Sequence, residues 1–267
     1  MSPFESIVLG LTQGITEFIP VSSSGHLEIV QNIIGDRGAD FHLFLEFINI
    51  GTLLALLIFY RKRIYQILVD VFRNKNYRLA LNIIITSIPA ALIGFFGSKL
   101  IGSAVFFSSL ITVGVAMGLI GIVMVIVDKL PKLSKLKNEN VLTKPRALMI
   151  GLSQTLALIP GVSRSGSTII TGRLMGMNNE SAANYSFLAS IPIMCGVVLK
   201  TFLSGDDRAY FVNNLWMLLL SNLIAFVAGM IALRFVMKFL ARRDALKYFG
   251  WYRIVLACLV LIVVLMQ

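Results

Sequence analysis

Apolar and polar positions along the chain fall into long apolar blocks separated by short basic stretches. Blocks at about 41–60, 79–97, 104–127, 183–203, 211–233 and 248–266 are predominantly apolar, and each is close to the ~20 residues a helix needs to cross a hydrocarbon core. They predict an all-α polytopic membrane protein with six full transmembrane helices. The intervening segments carry Arg61, Lys62, Arg63, Arg73, Lys75 and Arg78; then Lys129, Lys132, Lys135, Lys137, Lys144 and Arg146; then Arg234, Lys238, Arg242, Arg243 and Lys247. The positive-inside rule puts all three in the cytoplasm and both termini outside, with the weakly charged connections 98–103 and 204–210 also outside. That scheme closes only if residues 1–40 and 147–180 do not cross completely.

Each of those two regions holds a short apolar stretch running into a Pro, Gly and Ser cluster. Laid over one another at an offset of 141 residues, Gly10, Leu11, Gln13, Val21, Ser22, Ser24 and Gly25 meet Gly151, Leu152, Gln154, Val162, Ser163, Ser165 and Gly166 without a gap. The chain therefore reads as a single domain, residues 1–267, with an internal repeat: about 1–127, a basic cytoplasmic linker at 128–146, and about 147–267. Each copy holds one broken segment and three crossings, so the second copy must be inverted. The expected arrangement is two re-entrant helical hairpins, 10–26 and 151–168, entering from opposite faces as inverted-topology repeats and meeting inside the protein.

Composition supports the membrane reading. Of 267 residues, 57% are hydrophobic and only 14% charged, the mean hydropathy is +0.84, and soluble domains carry about 25% charged residues. The net charge of +11, from 24 Lys+Arg against 13 Asp+Glu, would suggest nucleic acid in a soluble chain. Here the basic residues sit between apolar blocks and read as topogenic, so no nucleic-acid partner is expected. Cys195 and Cys258 fall inside apolar blocks and suggest neither a metal knot nor a disulfide framework. The first basic residue is Arg37, which argues against a cleaved signal peptide.

Ionisable groups within the membrane mark function by default. The first hairpin offers Glu17 and His26, the second Arg164; Gln13, four residues before Glu17, shares its helix face. Ser22, Ser24 and Gly25 opposite Ser163, Ser165, Gly166 and Thr168 have the makings of a phosphate cradle. Hydroxyls and glycine-opened backbone N–H groups converge on an anion, and a guanidinium fork matches phosphate oxygens. A carboxylate beside such a cradle fits best as a ligand to a divalent cation, Mg²⁺ or Ca²⁺, bridging protein and diphosphate, with Glu17 and Gln13 as the candidate ligands. His26 could move a proton and a nearby serine could attack phosphorus. The bland readings are helix ends for the Ser/Gly turns, an interhelical hydrogen bond for Glu17 and snorkelling for Arg164. Glu46, inside the first full crossing, stands evenly between structure and function.

The two hairpin motifs resemble those of the undecaprenyl-diphosphate phosphatase family associated with bacitracin resistance, and the resemblance runs over nearly the whole chain. The family's Glu/Gln-x-x-x-Glu and Pro-Val-Ser-Ser-x-Gly-His signature stands here as Gln13 to Glu17 and Pro20 to His26. Its Pro-Gly-x-Ser-Arg-Ser-Gly-x-Thr signature stands as Pro160 to Thr168. The resemblance implies a divalent-cation-dependent phosphatase of the bacterial inner membrane. Its substrate would be a long-chain prenyl diphosphate, the lipid carrier of cell-wall synthesis, with the site opening toward the outer face. It also implies that Glu17, Ser23, His26 and Arg164 carry the reaction, with Ser23, His26 or water as the nucleophile. Gln13 replaces one possible carboxylate, and Glu46 is a weak candidate for another. Membrane lipids are the remaining expected partners, with a homodimer left open. The main rival is a lipid-carrier flippase, since inverted repeats with broken helices also build transporters. A type-2 phosphatidic-acid phosphatase would need a histidine after Arg164, and the only histidines are His26 and His42.

Overall fold

The computed structural model describes residues 2–35, 39–103, 109–130, 136, 138–203, 205–242 and 244–266. Arg37, Lys132, Lys135, Lys137, Arg243 and the start of the third expected crossing at 104–108 lie outside the described residues. The described residues form helices and no strand. Helix α1 (Pro3–Phe18) is started by a capping box: the Ser2 hydroxyl accepts from the Glu5 N–H at 3.2 Å, and the Glu5 carboxylate accepts from the Ser2 N–H at 2.8 Å. It stops because Pro20 bars helical geometry at Ile19, whose φ and ψ are −67° and 134°. Helices α2 (Ser23–Ile34), α3 (Ala39–Phe59), α4 (Arg61–Phe72), α5 (Arg78–Ser103) and α6 (Leu110–Lys129) complete the first half. The second runs α7 (Lys144–Thr155), a 3-10 turn at Leu156–Leu158, α8 (Arg164–Leu174), α9 (Asn179–Leu203), α10 (Gly205–Asn213), α11 (Leu215–Leu240) and α12 (Leu246–Leu265).

Among the described residues, six helices are long and apolar enough to cross a bilayer: α3, α5, α6, α9, α11 and α12. Their outer faces stay bare. Leu92, Leu119, Leu223 and Val255 are each more than half exposed. Water would drive such a surface to associate, whereas lipid solvates it. The protein is a multi-pass membrane protein. By contrast α1, with 16 residues, and α7, with 12, extend only ~24 and ~18 Å at 1.5 Å per residue, short of a ~30 Å core.

Several boundaries differ from the sequence reading. The basic stretch after the first crossing is mostly helix α4, which buries none of its residues. The fifth crossing begins at Leu215 rather than 211, residues up to Asn213 belonging to α10, and it runs on to Leu240 through Arg234 and Lys238. The fourth starts at Asn179, not 183. Lys and Arg are good helix formers with long apolar stems, so a charged run that ends an apolar block need not end its helix.

Helix α1 lies along α11 and α7 along α5; α3 packs on α11 and α9, α5 on α9, and α6 on α12. Equivalent glycines permit the first two contacts. A Cβ on Gly10 would stand 2.7 Å from the Ser221 carbonyl oxygen in α11, and one on Gly151 2.6 Å from that of Thr86 in α5. The main buried cluster gathers Phe18, Leu56, Tyr185, Phe187 and Leu233. Phe18 meets Phe187 edge-on at 5.8 Å, which anchors the end of α1 against α9.

Candidate active site

Two short turns, one after α1 and one after the 3-10 turn that follows α7, end in the same local geometry. Ser22 and Ser163 both have positive φ, 76° and 71°, a region that costs an L-residue of order 1–3 kcal/mol. Each is the N-cap of the next helix: the Ser22 hydroxyl accepts from the Gly25 N–H at 3.3 Å, and that of Ser163 from the Gly166 N–H at 3.1 Å. Each hydroxyl also meets that of the serine two residues on, at 3.2 Å for Ser24 and 3.3 Å for Ser165. Gly161 supplies a φ of 92° before the second turn, where a Cβ would fall 2.6 Å from the Val113 carbonyl.

These turns present the N-termini of α2 and α8 to one cavity of about 160 Å³, lined by Glu17, Ser22, Ser23, Ser24, Ala157, Ser163 and Arg164. The first N–H groups of an α-helix lack intrahelical acceptors and carry the positive end of its dipole, so such a cavity favours an anion. Glu17 lies between the two turns. Its Oε1 accepts from Arg164 Nη2 at 2.6 Å, and its Oε2 accepts from the Ser23 hydroxyl at 2.7 Å and from Gln13 Nε2 at 3.0 Å. Residues 147 positions apart thus form an ion pair whose side chains are only 16% and 11% exposed. Gln13 also donates to Asn49 Oδ1 of α3 at 2.8 Å. Arg164 Nη1 is buried with no hydrogen-bond partner, an open donor in a site already biased toward anions.

Other sequence candidates stand behind the cavity. Ser165, Gly25 and Gly166 build the two N-caps rather than its walls. The Thr168 hydroxyl lies one turn along α8, where it donates to the Arg164 carbonyl at 2.8 Å and meets Ser186 at 2.6 Å. Glu46 is half-buried on α3, and it is Asn49, three residues further, that reaches the cluster. His26 does not meet Ser23: its Nδ1 lies 2.7 Å from the Ser22 carbonyl and its Nε2 2.7 Å from Tyr252 Oη. A carbonyl only accepts, so Nδ1 carries the proton and Nε2 accepts from the tyrosine hydroxyl. Burial holds His26 below the ordinary imidazole pKa, the Ser22 carbonyl opposes this, and the charge of Arg253 adds to it.

Tyr252 and Arg253 escaped the sequence reading, although a lone arginine within the apolar block 248–266 is a strong intramembrane signal. The guanidinium of Arg253 is 0% exposed and donates to four backbone carbonyls, those of Met117, Pro20, Gly161 and Val162. A second, larger groove of about 540 Å³ lies between α1 and α11, lined by residues such as Leu11, Ile15, Leu223 and Phe235. It holds no titratable group, and no chemistry follows from it.

Among the described residues, six helices long and apolar enough to cross a bilayer accompany an arginine-bearing pocket built on two helix N-termini, and such a pocket suits a phosphorylated group. The chain belongs to the family described as Bacitracin resistance protein BacA, which matches residues 6–259. It is 38% identical over 267 residues to Undecaprenyl-diphosphatase 1 of Clostridioides difficile (strain 630), covering 97% of this chain and 94% of that protein. It is 36% identical to the undecaprenyl-diphosphatase of Aquifex aeolicus (strain VF5), covering 96% of each. A protein of the same name from Methanococcus vannielii is 36% identical over 93% of this chain and 95% of its own length.

Proposed function

We infer that this protein is an integral-membrane phosphatase that hydrolyses undecaprenyl diphosphate to the monophosphate and inorganic phosphate. It thereby returns the lipid carrier to cell-wall synthesis and confers bacitracin resistance. The observation that carries a hydrolytic reading is the row Arg164–Glu17–Ser23, in which a hydroxyl is hydrogen-bonded to a carboxylate that an arginine holds from the other side. A flippase needs no such row.

In the reaction the diphosphate enters the 160 Å³ cavity, which has room for a headgroup and none for a polyprenyl chain, so the chain stays in lipid. Phosphate oxygens take the open Nη1 donor of Arg164 and the N–H groups opening α2 and α8. This draws the guanidinium from Glu17 toward the substrate. Ser23 Oγ attacks the terminal phosphorus in line as its proton passes to Glu17 Oε2. The bond to the bridging oxygen breaks, and undecaprenyl monophosphate leaves with the electron pair and takes the proton from Glu17, which restores the carboxylate. Water then attacks the phosphoserine as Glu17 accepts its proton, the Ser23–phosphorus bond breaks with that proton returning to Ser23 Oγ, and inorganic phosphate is released. Most of the acceleration comes from positioning and from fixed positive charge around the phosphoryl group. His26, bound to the Ser22 carbonyl, holds the first turn. The competing nucleophiles are His26 itself and water.

The donor set suits a hard divalent cation. Glu17, Ser23, Gln13 and Asn49 offer oxygens and no sulfur, and a single carboxylate lines the cavity. No group of three or more His, Cys, Asp or Glu gathers among the described residues. Glu17 would therefore hold Mg²⁺ or Ca²⁺ together with substrate phosphates and water, Gln13 supporting the carboxylate. Bound there, the ion would offset the charge of the diphosphate.

The two broken segments, residues 10–26 and 151–168, are read as re-entrant hairpins of inverted repeats spanning about 1–127 and 147–267. The exchange of partners supports this: α1 lies on α11 of the other half as α7 lies on α5, each seated by the equivalent glycine. Positive charge near α4, the 128–146 linker and the end of α11 supports a cytoplasmic side for these segments and an outer side for both termini, and the reading has the site open toward that outer side. The deciding experiment is phosphate release by purified protein in detergent, with and without a chelator. Turnover in micelles, where no second compartment exists, supports the phosphatase; activity confined to sealed vesicles would instead support the flippase.

A further inference from the structure

Among the described residues Arg253 is the largest side chain that is fully buried, at 0% exposure. No carboxylate pairs with it: the ion pairs among the described residues are Arg63–Glu139 and Arg164–Glu17. A buried guanidinium without a counterion persists only when hydrogen bonds satisfy it. Its acceptors are all backbone carbonyls: Met117 of α6 at 3.3 Å from Nε, Pro20 at 3.3 Å from Nη1, and Gly161 and Val162 at 2.5 and 3.2 Å from Nη2. Pro20 precedes the N-cap Ser22 by two residues, and Val162 directly precedes the N-cap Ser163. One side chain therefore holds the last peptides before both strained caps.

We propose that Arg253 is a positioning residue that fixes the two site-bearing turns relative to one another, with the adjacent Tyr252 setting the imidazole of His26. The proposal rests on the phosphatase reading for its kinetic consequence, though not for its structural one. A carbonyl drawn to Arg253 is a carbonyl kept out of the phosphate cavity, which Arg253 does not line. The rigid fork reaches three separate segments at once, whereas an ammonium is a single point donor. Because Ser23 follows one turn and Arg164 the other, their spacing depends on this bridge. A misplacement of about 1 Å between reacting groups lowers turnover by ~10²-fold.

The experiment compares Arg253→Lys, Arg253→Met and Tyr252→Phe in purified full-length protein, by hydrogen exchange and by steady-state kinetics. Expected for both Arg253 variants is faster exchange in residues 19–24 and 160–166 together, without comparable change in α3 or α9. Expected in turnover is a kcat lower by ~10²-fold with KM within a few-fold. Tyr252→Phe leaves the second turn protected. If Arg253→Lys keeps wild-type kcat, charge rather than geometry matters and the proposal fails. It fails equally if one turn loosens without the other, or if the variants merely melt earlier at unchanged kcat. Should the wild-type protein release no phosphate, the functional reading falls while the exchange data still decide the clamp.

Discussion

Removing either partner of the Glu17–Arg164 pair should do far more harm than removing both would suggest. The Nη2–Oε1 distance is 2.6 Å, with 16% and 11% of the side chains exposed, so solvent screens the pair poorly. Glu17→Gln leaves a largely buried guanidinium without its counterion, and Arg164→Gln leaves the carboxylate with only Ser23 and Gln13 as donors. Breaking a buried pair from one side typically destabilises by about 3–5 kcal/mol. The double variant Glu17→Gln/Arg164→Gln relieves the stranded charge. Its loss should fall short of the summed single losses by well over the ~0.5 kcal/mol seen for independent sites. Turnover should fall by ~10²–10⁴-fold in each single variant, and the double should be no worse than the poorer single, because the two act as one unit. Thermal unfolding in detergent gives the stability cycle, and phosphate release gives the kinetic one. Additive stability losses together with multiplicative rate losses would refute the coupling and the shared role built on it.

Ser23→Ala should abolish any acid-stable phosphoprotein trapped during turnover and lower kcat by orders of magnitude; a phosphoprotein that persists in this variant places the nucleophile elsewhere. Gly151→Ala pushes a Cβ to 2.6 Å from the Thr86 carbonyl, whereas at Gly196 nothing lies within 4 Å. The first should therefore lower thermal stability by about 1–3 kcal/mol, while Gly196→Ala is neutral or slightly stabilising; equal effects would contradict the packing described. Burial keeps His26 below 6.5, so a step that needs its neutral form is intact at neutral pH and is lost only on acidification below that value. An acid limb in kcat that survives in His26→Asn belongs to another group.

The crossings were legible because about twenty apolar residues in a row have few other fates, and Gly10, Gln13, Ser22 and Gly25 recur in register with Gly151, Gln154, Ser163 and Gly166. That same register points to the two N-caps, whose serines and glycines are the residues a strained turn into a helix requires. Which groups meet was less legible. The Ser23 hydroxyl lies on Glu17 rather than on His26, since the imidazole is held between the Ser22 carbonyl and Tyr252. Tyr252 is 226 residues away, and no local pattern relates it to His26. Asn49 and not Glu46 meets Gln13, a choice made by the rotation of α3 against α1. Arg253 was visible as an isolated charge, but its four acceptors are peptide carbonyls, which carry no side-chain signature.

A chamber of about 160 Å³, too small for a polyprenyl tail, has a bearing on inhibitor design if the proposed headgroup site is the one to be blocked. Any competitor must leave its tail in the bilayer, where each methylene adds ~0.8 kcal/mol of partitioning without touching the protein. Potency quoted per litre of medium would then rise with tail length alone. Compounds should be ranked by mole fraction in the membrane, and selectivity sought in the warhead.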